Sequence, residues 1–375
     1  MHGVGGVAAS ELRFRTPTFA GDRGFLRDVR SRVDAALGDT PRAGDPALWR
    51  KVGVILLWFG LSYAGLLTLD DPVALVALCV SMGLSASALG LNLFHDANHG
   101  GLSRHPAVNR WAARAASALL GASNHFWRRK HHVLHHRFTN LHTWDDDVET
   151  RGTLRMSPHQ PWRPWHAVQH LTFPLLYALN TIEWFFVKDF VQYATRRLNP
   201  YQRVPPLRPA EHLEFWACKA VYLALFVALP LAAQGGERFL VGFLVAHAVF
   251  GLSLTLVFNL AHATELAEHP AVEGDPPAVP DEWAAHEMRT TANFGPRDPV
   301  LDWFAGGLNR QIEHHLFPTW SHTLYPRIAP IVRAAARDHG LPYHEHPTYA
   351  DALASHRRFL RGLARRGTAP APAPA

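Results

Sequence analysis

Four long apolar segments alternate with polar, arginine-rich segments along the chain. Each has close to the ~20 residues that an α-helix needs to cross a ~30 Å hydrocarbon core. Short polar turns join the first segment to the second and the third to the fourth. The pattern therefore predicts an all-α integral membrane protein with four transmembrane helices in two hairpins. The apolar segments are 52–69, 73–94, 215–233 and 239–260.

The polar first 50 residues contain one amphipathic pattern. Phe25, Val29, Val33 and Leu37 recur at every fourth position, which predicts a helix lying on the membrane or packing on the body of the protein. We expect residues 1–50 to be a cytoplasmic segment and 51–365 one membrane domain. The alanine- and proline-rich residues 366–375 are expected to be a disordered tail.

Two weaker apolar stretches lie between the hairpins, at 111–120 and 171–187. The first is too short to cross a membrane. The second contains Pro174, Asn180 and Glu183, so we expect it to lie in the membrane interface with Trp184 and Phe185 as anchors. In the C-terminal third, Ile328, Ile331, Val332 and Ala335 form the apolar stripe of another helix.

The distribution of charge predicts the orientation. Arg238 is the one basic residue in the two hairpin turns, so the positive-inside rule predicts a cytoplasmic N-terminus, C-terminus and polar cap. The formal charge of +6 comes largely from arginines that flank apolar segments, so no nucleic-acid partner is expected. Both cysteines, Cys79 and Cys218, lie in apolar segments, which excludes a disulfide framework. No secretory signal peptide is expected.

The chain has 25 histidines, and several of them cluster just beyond the apolar segments. Imidazole is the commonest metal-binding side chain, and residues four apart lie on one face of a helix. Under the predicted topology, all of these clusters lie on the cytoplasmic side. The candidate ligands are His95, His99, His131, His135, His136, His262, His314 and His315.

Eight imidazoles exceed the needs of one tetrahedral zinc ion and suit two transition-metal ions with open positions. The lack of clustered cysteines excludes an iron–sulfur centre, and the His-Glu-x-x-His pattern of zinc proteases is missing. A membrane metal transporter is an alternative, but transporters place their ligands near mid-membrane. These clusters lie beyond the ends of the spans, and His247, about fifteen residues before His262, is expected to be a hydrogen-bonded histidine of the bundle.

A histidine that binds a metal usually donates its other N–H to a carboxylate or carbonyl. The run Asp145-Asp146-Asp147 can serve in this way, cap a helix or pair with an arginine. Arg128, Arg129 and Lys130 can bind an anionic head group or anchor the chain at the membrane. Some residues can contact the ligand histidines without binding the metal themselves. The candidates are Asp96, His132, Asp146, Glu265, His286 and Glu313. No catalytic residue is predicted beyond the ligands.

The three histidine clusters resemble those of the membrane fatty acid desaturase family. The segment Gln311-Ile-Glu-His-His-Leu-Phe-Pro318 is similar to the front-end branch, in which glutamine replaces the first histidine of the third cluster. The tail segment from Tyr325 to Val332, followed by Gly340 to Tyr343, resembles bacterial acyl-lipid or linoleoyl-CoA desaturases. Three further segments are similar to the front-end branch, and the resemblance covers about residues 12–365. These segments begin at Trp127, Thr290 and Gly306.

The resemblance implies two non-haem iron ions held by the eight histidines, with O2 as co-substrate. Gln311 then becomes a further candidate for a residue that contacts the ligand histidines without binding the metal. The implied activity is insertion of a cis double bond into a fatty acyl chain carried by coenzyme A or a membrane lipid. The chain has no His-Pro-Gly-Gly haem motif, so we expect electrons from a separate ferredoxin, cytochrome b5-like protein or reductase. Hydroxylation on the same scaffold is the nearest alternative.

Overall fold

The computed structural model describes residues 16–21, 24–272, 274 and 277–367. It confirms the two hairpins. Three helices extend beyond the predicted apolar segments, because the first and third begin at residues 46 and 209 and the second continues to residue 99. The helices long and apolar enough to span a membrane, here the first to fourth spans, are Pro46–Thr68, Pro72–His99, Pro209–Gln234 and Gly236–His262.

Local sequence signals fix the start of the first two spans. Asp45 accepts a hydrogen bond from the backbone N–H of Ala47, and Pro46 occupies the first helical turn. Asp71 caps the second span in the same way, with Pro72 in its first turn. A carboxylate at this position satisfies a free backbone donor, and proline lacks the N–H that would remain unpaired there.

The second and fourth spans pack closely because small residues face each other. A Cβ atom on Gly83 would lie 2.6 Å from the carbonyl oxygen of Ala246. Ser87 Oγ donates a hydrogen bond of 3.1 Å to the carbonyl of Phe250. Small residues and interhelical hydrogen bonds are the usual means of close helix packing in membranes.

Both hairpin turns lie at the same end of the bundle, as the topology predicts. Arg238 in the second turn pairs with Asp70 in the first, with 2.5 Å between Nη1 and Oδ1. Near the middle of the fourth span, His247 accepts or donates hydrogen bonds with Thr181 and Tyr222. This is the hydrogen-bonded role that the sequence predicts for His247.

The helix Gln169–Glu183 continues through a π-helical segment, Trp184–Lys188, into Asp189–Thr195. It packs along the fourth span, and the prediction of Phe185 as an interfacial anchor is wrong. Phe185 is 2% exposed and packs against Phe250, with 5.8 Å between ring centroids. Trp184 is half-buried and donates its indole N–H to Asp189. Long-range packing on the fourth span therefore overrides the interfacial preference of these rings.

The polar ends of the spans are covered by a helical cap. The N-terminal helix Phe25–Leu37 buries its predicted stripe against the helix Tyr325–Asp338, whose own stripe includes the buried Ile328 and Val332. Of the two predicted placements, packing on the body is therefore the one observed. Residues 368–375, most of the predicted tail, lie outside the described residues.

Shorter elements complete the cap and connect the hairpins. Two short parallel strand pairs join Thr18–Phe19 to Ala278–Val279 and Asn293–Phe294 to Glu345–His346. The second span contains a π-helical segment, Gly90–Phe94, immediately before its histidines. The remaining helices are Pro106–Leu120, Asn124–Arg128, Arg129–His135 (π-helical), His136–Phe138, Pro164–Val168 (3-10), Trp283–Thr290, Pro299–Ala305, Gln311–Leu316, His322–Leu324 (3-10) and Tyr349–Leu363.

Candidate metal centre

Four separate parts of the chain bring the predicted histidines together at the end of the bundle opposite the hairpin turns. The end of the second span, the helical segment 124–138, the end of the fourth span and the short helix Gln311–Leu316 all contribute. Two of these parts include or follow a π-helical turn, a feature that is frequent at functional sites. The histidines are His95, His99, His131, His135, His136, His262, His314 and His315.

Seven of these histidines form two compact groups. The first group is His95, His99, His131 and His314, and the second is His135, His262 and His315. Within each group, one nitrogen from every ring lies within 4.8 Å of the others. His131 and His135 stack with 5.2 Å between ring centroids and so join the two groups.

His136 completes the set of eight. Its Nε2 atom lies 3.2 Å from His131 Nε2 and 3.0 Å from His314 Nε2. Three imidazole nitrogens that converge at this distance are arranged as ligands around a common ion. We therefore assign His136 to the first group. Its ring also lies next to His315 of the second group, with 4.4 Å between ring centroids.

The hydrogen bonding of the rings fits metal binding. His315 Nδ1 contacts Glu287 Oε2 at 2.6 Å, and His262 Nδ1 contacts the carbonyl of Thr290 at 3.3 Å. The Nε2 atoms of both rings are buried without a hydrogen-bond partner among the described residues. Buried polar atoms are rarely left without a partner. A metal ion on Nε2, with Nδ1–H held from behind, satisfies both nitrogens.

Three histidines outside the spans have the uncharged form that binds metal at neutral pH. Burial, together with the neighbouring imidazoles, holds the pKa of His131, His136 and His314 well below its usual value. These rings are therefore neutral, which is the form that binds metal. His135 differs: burial opposes the charged form, but the nearby carboxylates of Asp145 and Asp147 raise its pKa to about 9.

The predicted carboxylates have different positions. Asp96 lies 3.5 Å from His95 Nδ1 and is buried at the site. Glu313 accepts hydrogen bonds from Asn293 and Tyr343. Asp146 pairs with Lys188 at 2.9 Å.

Glu265 lies away from the ligand histidines. It is 44% exposed and pairs with Arg358. Among the predicted basic residues, Lys130 pairs with Asp147 at 2.8 Å and lies 5.0 Å from the Trp184 ring centroid. Lys130 is thus engaged within the protein rather than held at a lipid surface.

The other predicted neighbours surround the histidine groups. His132 packs on His99 with 4.3 Å between ring centroids. His286 Nε2 contacts the carbonyl of Thr139 at 2.9 Å. Gln311 is buried on the same short helix as His314 and His315.

Sequence reasoning missed Glu287 and Tyr325, which contact ligand histidines, and left open which role the run of Asp145, Asp146 and Asp147 has. Glu287 bonds His315 and also accepts a hydrogen bond from Thr139 Oγ1. Both carboxylate oxygens of Asp145 lie within 3.2 Å of His135 Nδ1. Tyr325 OH contacts His314 Nδ1 at 3.2 Å. Glu287 directly follows His286, and this proximity was its one signal in the sequence. Asp145 contacts an imidazole, which is one of the three roles that the sequence offered for the aspartate run.

Asn140 ties the histidine-bearing parts together. Its Nδ2 donates to the carbonyl of His262 at 2.9 Å and to those of Glu268 and Thr290. Its backbone N–H donates to Asp145. The residue adopts a positive φ of 60°, a conformation that asparagine tolerates better than most residues.

A cavity of about 390 Å³ leads away from the histidines between the fourth span and the helix Gln169–Glu183. His131, His135 and His262 are among the residues that line it. Apolar side chains form much of its wall, including Leu176, Leu254 and Phe258, and three ion pairs lie along it. These pairs are Lys130–Asp147, Arg151–Glu183 and Lys188–Asp146.

Comparison with known proteins agrees with this geometry. Residues 71–347 match the sequence profile described as Fatty acid desaturase. The chain belongs to the fatty acid desaturase family. It is therefore an enzyme that desaturates fatty acyl chains with O2, embedded in a membrane by its four spans.

Several relatives are similar over nearly the whole desaturase. The sn-1 linoleoyl-lipid 6-desaturase of Synechocystis sp. is 32% identical over 92% of this chain and 97% of its own. The enzyme of the same name from Arthrospira platensis is 32% identical, over 92% of this chain and 94% of its own. The acyl-lipid (8-3)-desaturase of Physcomitrium patens is 29% identical, over 94% of this chain and 75% of its own.

Proposed function

We propose that this desaturase inserts a cis double bond into an acyl chain of a membrane lipid, using two iron ions held by the eight histidines. The main support is that histidines from both imidazole groups line one largely apolar cavity. The relatives named as lipid-linked desaturases favour a lipid over a coenzyme A ester.

The reaction removes one hydrogen from each of two adjacent methylene groups. For each double bond, O2, two electrons and two protons are consumed together with the two hydrogens, and two water molecules form. The bound iron supplies the O2 activation that breaking an unactivated C–H bond requires. The protein supplies the binding geometry, the exclusion of water and the position of the substrate.

The residues of this chain have separate roles in the proposal. His95, His99, His131, His136 and His314 hold one ion, and His135, His262 and His315 hold the other. Glu287 and Asp145 accept Nδ1–H from His315 and His135, which leaves Nε2 free for metal.

The cavity positions the acyl chain. Its apolar wall, with Leu254 and Phe258, lies next to His262 on the same face of the fourth span. An acyl chain in this cavity would bring its methylene groups to the metal ions and displace water. Charged residues that line the cavity are paired, as Lys188 and Asp146 are, so a polar head group would not face a single unbalanced charge there.

We further propose a cytoplasmic location for the histidines and both termini. The hairpin turns contain one arginine, Arg238, which pairs with Asp70 at the opposite end of the bundle from the histidines. The arginine-rich segments lie at the histidine end, as the positive-inside rule requires of a cytoplasmic side.

The electron donor is proposed to be a separate acidic redox protein that docks on an arginine-rich groove. This groove, of about 430 Å³, is lined by Arg297, Arg310, Arg333 and Arg337 and by one carboxylate, Glu345, so four basic residues face one acidic residue. Arg333 pairs with Glu345, and Arg310 pairs with Asp302 beside the groove. Arg310 immediately precedes the short third-cluster helix, and its carbonyl accepts the backbone N–H of His314. A donor in this groove would therefore lie close to a proposed metal ligand, and opposite charge would steer it there.

Lipid analysis tests the proposed activity. Cells that express the chain with a donor system should contain a new unsaturated acyl chain, located by gas chromatography–mass spectrometry. Cells expressing His135→Ala, which removes a proposed ligand, should lack it. A hydroxylated product would favour the alternative oxidation on the same scaffold, and purified wild-type protein without iron would refute the proposed metal centre.

A further inference from the structure

A line of polar side chains runs from the first span to the first histidine group. Lys51 Nζ lies 2.9 Å from His322 Nε2, and His322 Nδ1 lies 2.7 Å from Asp96 Oδ2. The other oxygen of Asp96 lies 3.5 Å from His95 Nδ1. His322 and Asp96 are each 4% exposed, and His95 is 2% exposed. Four side chains from three distant parts of the sequence thus form one buried contact path.

We propose that Lys51, His322 and Asp96 are positioning residues that fix the ring orientation and tautomer of His95. This inference rests on the proposed function, in which His95 binds a metal ion. It assigns a role to the first span, which contributes no histidine to either group.

The chemistry of the side chains determines which atom donates the proton in each contact of this path. The ammonium group of Lys51 only donates, so His322 Nε2 must accept and the proton of the ring lies on Nδ1. His322 Nδ1–H then donates to Asp96. The carboxylate of Asp96 only accepts, and its Oδ1 is 3.5 Å from His95 Nδ1, which is longer than a hydrogen bond, so a small rotation of the ring would direct Nδ1–H to it. Both ring nitrogens of His95 are buried without a hydrogen-bond partner among the described residues, so an Nδ1–H turned toward Asp96 would leave the lone pair on Nε2 for a metal ion.

The His95 path is built differently from the supports of the second group. His315 and His135 each contact a carboxylate directly, from Glu287 and Asp145. At His95 the nearest carboxylate is itself held by His322, and that histidine is held by Lys51. Lys51 also lies 5.5 Å from the ring centroid of Trp303, which helps to keep its ammonium group in place. The orientation of His95 is thus coupled to the position of the first span.

Metal binding to purified protein in lipid nanodiscs tests the path. The protein is stripped of metal and titrated with Co²⁺, whose visible spectrum reports each nitrogen-ligated site. We expect His322→Leu and Lys51→Met to weaken one of two sites by about 10- to 100-fold, the usual effect of losing a contact behind a ligand. The spectrum of that site should change as His95 rotates.

A conservative variant separates positioning from folding. In His322→Gln, the side-chain carbonyl can accept from Lys51 and the amide N–H can donate to Asp96. We expect this variant to recover affinity to within a few-fold of wild type. As a matched control, Glu287→Gln should weaken the other site, because it alters the contact to His315.

The outcomes distinguish the two proposals. If wild-type protein binds no metal, the proposed metal centre is refuted. If wild-type protein binds two ions and His322→Leu and Lys51→Met bind them equally well, only the positioning path is refuted. The path is also refuted if His322→Gln loses as much metal affinity as His322→Leu. It is refuted as well if, across the variants, the loss of metal affinity is proportional to the decrease in the melting temperature of the metal-free protein.

Discussion

Substitution of Lys219 by methionine should destabilise the fold more than any surface charge change. Lys219 lies in the third span and is 4% exposed. Its ammonium group donates to Asp189 Oδ2 at 2.7 Å and to the carbonyls of Gly121 and Phe185 at 2.6 and 2.8 Å. Methionine has a similar shape but donates no hydrogen bond. The variant would leave a buried carboxylate without its cation.

The size of the effect follows from this burial. Breaking a buried ion pair by removing one partner costs about 3–5 kcal/mol, because the remaining charge stays desolvated. Asp189 keeps hydrogen bonds from the backbone N–H of Ser123 and from Trp184. These bonds offset part of the cost, so we expect about 3 kcal/mol. Since Ser123 begins the helix that leads to His131, metal content should fall as well.

Equilibrium unfolding in lipid bicelles measures this loss. Arg208→Met is a matched control at the start of the same span, because its partner Glu211 is a surface contact and the guanidinium is 81% exposed. That variant should unfold like wild type. Adding Asp189→Asn to Lys219→Met should restore part of the stability, because the unpaired charge is removed while the side-chain carbonyl can still accept from Ser123 or Trp184. A loss below about 1 kcal/mol for Lys219→Met would refute the inference that the pair is desolvated.

Three further results are expected. Asp145→Asn should weaken metal binding at the second group by about 10- to 100-fold, measured by Co²⁺ titration, because His135 loses its carboxylate. Leu254→Trp should abolish lipid desaturation but leave iron content unchanged, since Leu254 lines the cavity and is not a proposed ligand. Combined Arg333→Glu and Arg337→Glu should slow donor-dependent turnover by at least about tenfold and remove its dependence on salt, because both arginines line the proposed docking groove.

Each of these results has a control. For Asp145→Asn, the first histidine group should keep its wild-type affinity, and equal loss at both groups would contradict the assignment. For Leu254→Trp, Leu254→Met should keep activity. For the arginine pair, turnover driven by a small chemical reductant should match wild type, and a slowed rate there would place the defect outside donor docking.

The sequence by itself determined the spans, the common depth of the histidine clusters and the family. Apolar length is matched to bilayer thickness, and four-residue spacing places His95 and His99 on one helix face, so both are local properties. Local rules were less reliable at boundaries and in the segment 171–187. There the apolar and aromatic composition suggested the interface, but Phe185 is buried against the fourth span.

Only the tertiary structure decided which residues meet at the site. Glu287 reaches His315 across 28 positions of sequence, and Lys51 reaches His322 across 271. Such contacts depend on how the spans and the cap pack, and periodicity within one helix carries no information about a partner elsewhere in the chain. For the same reason, the spacing that paired His131 with His135 gave no indication that each ring would also join a different group of histidines.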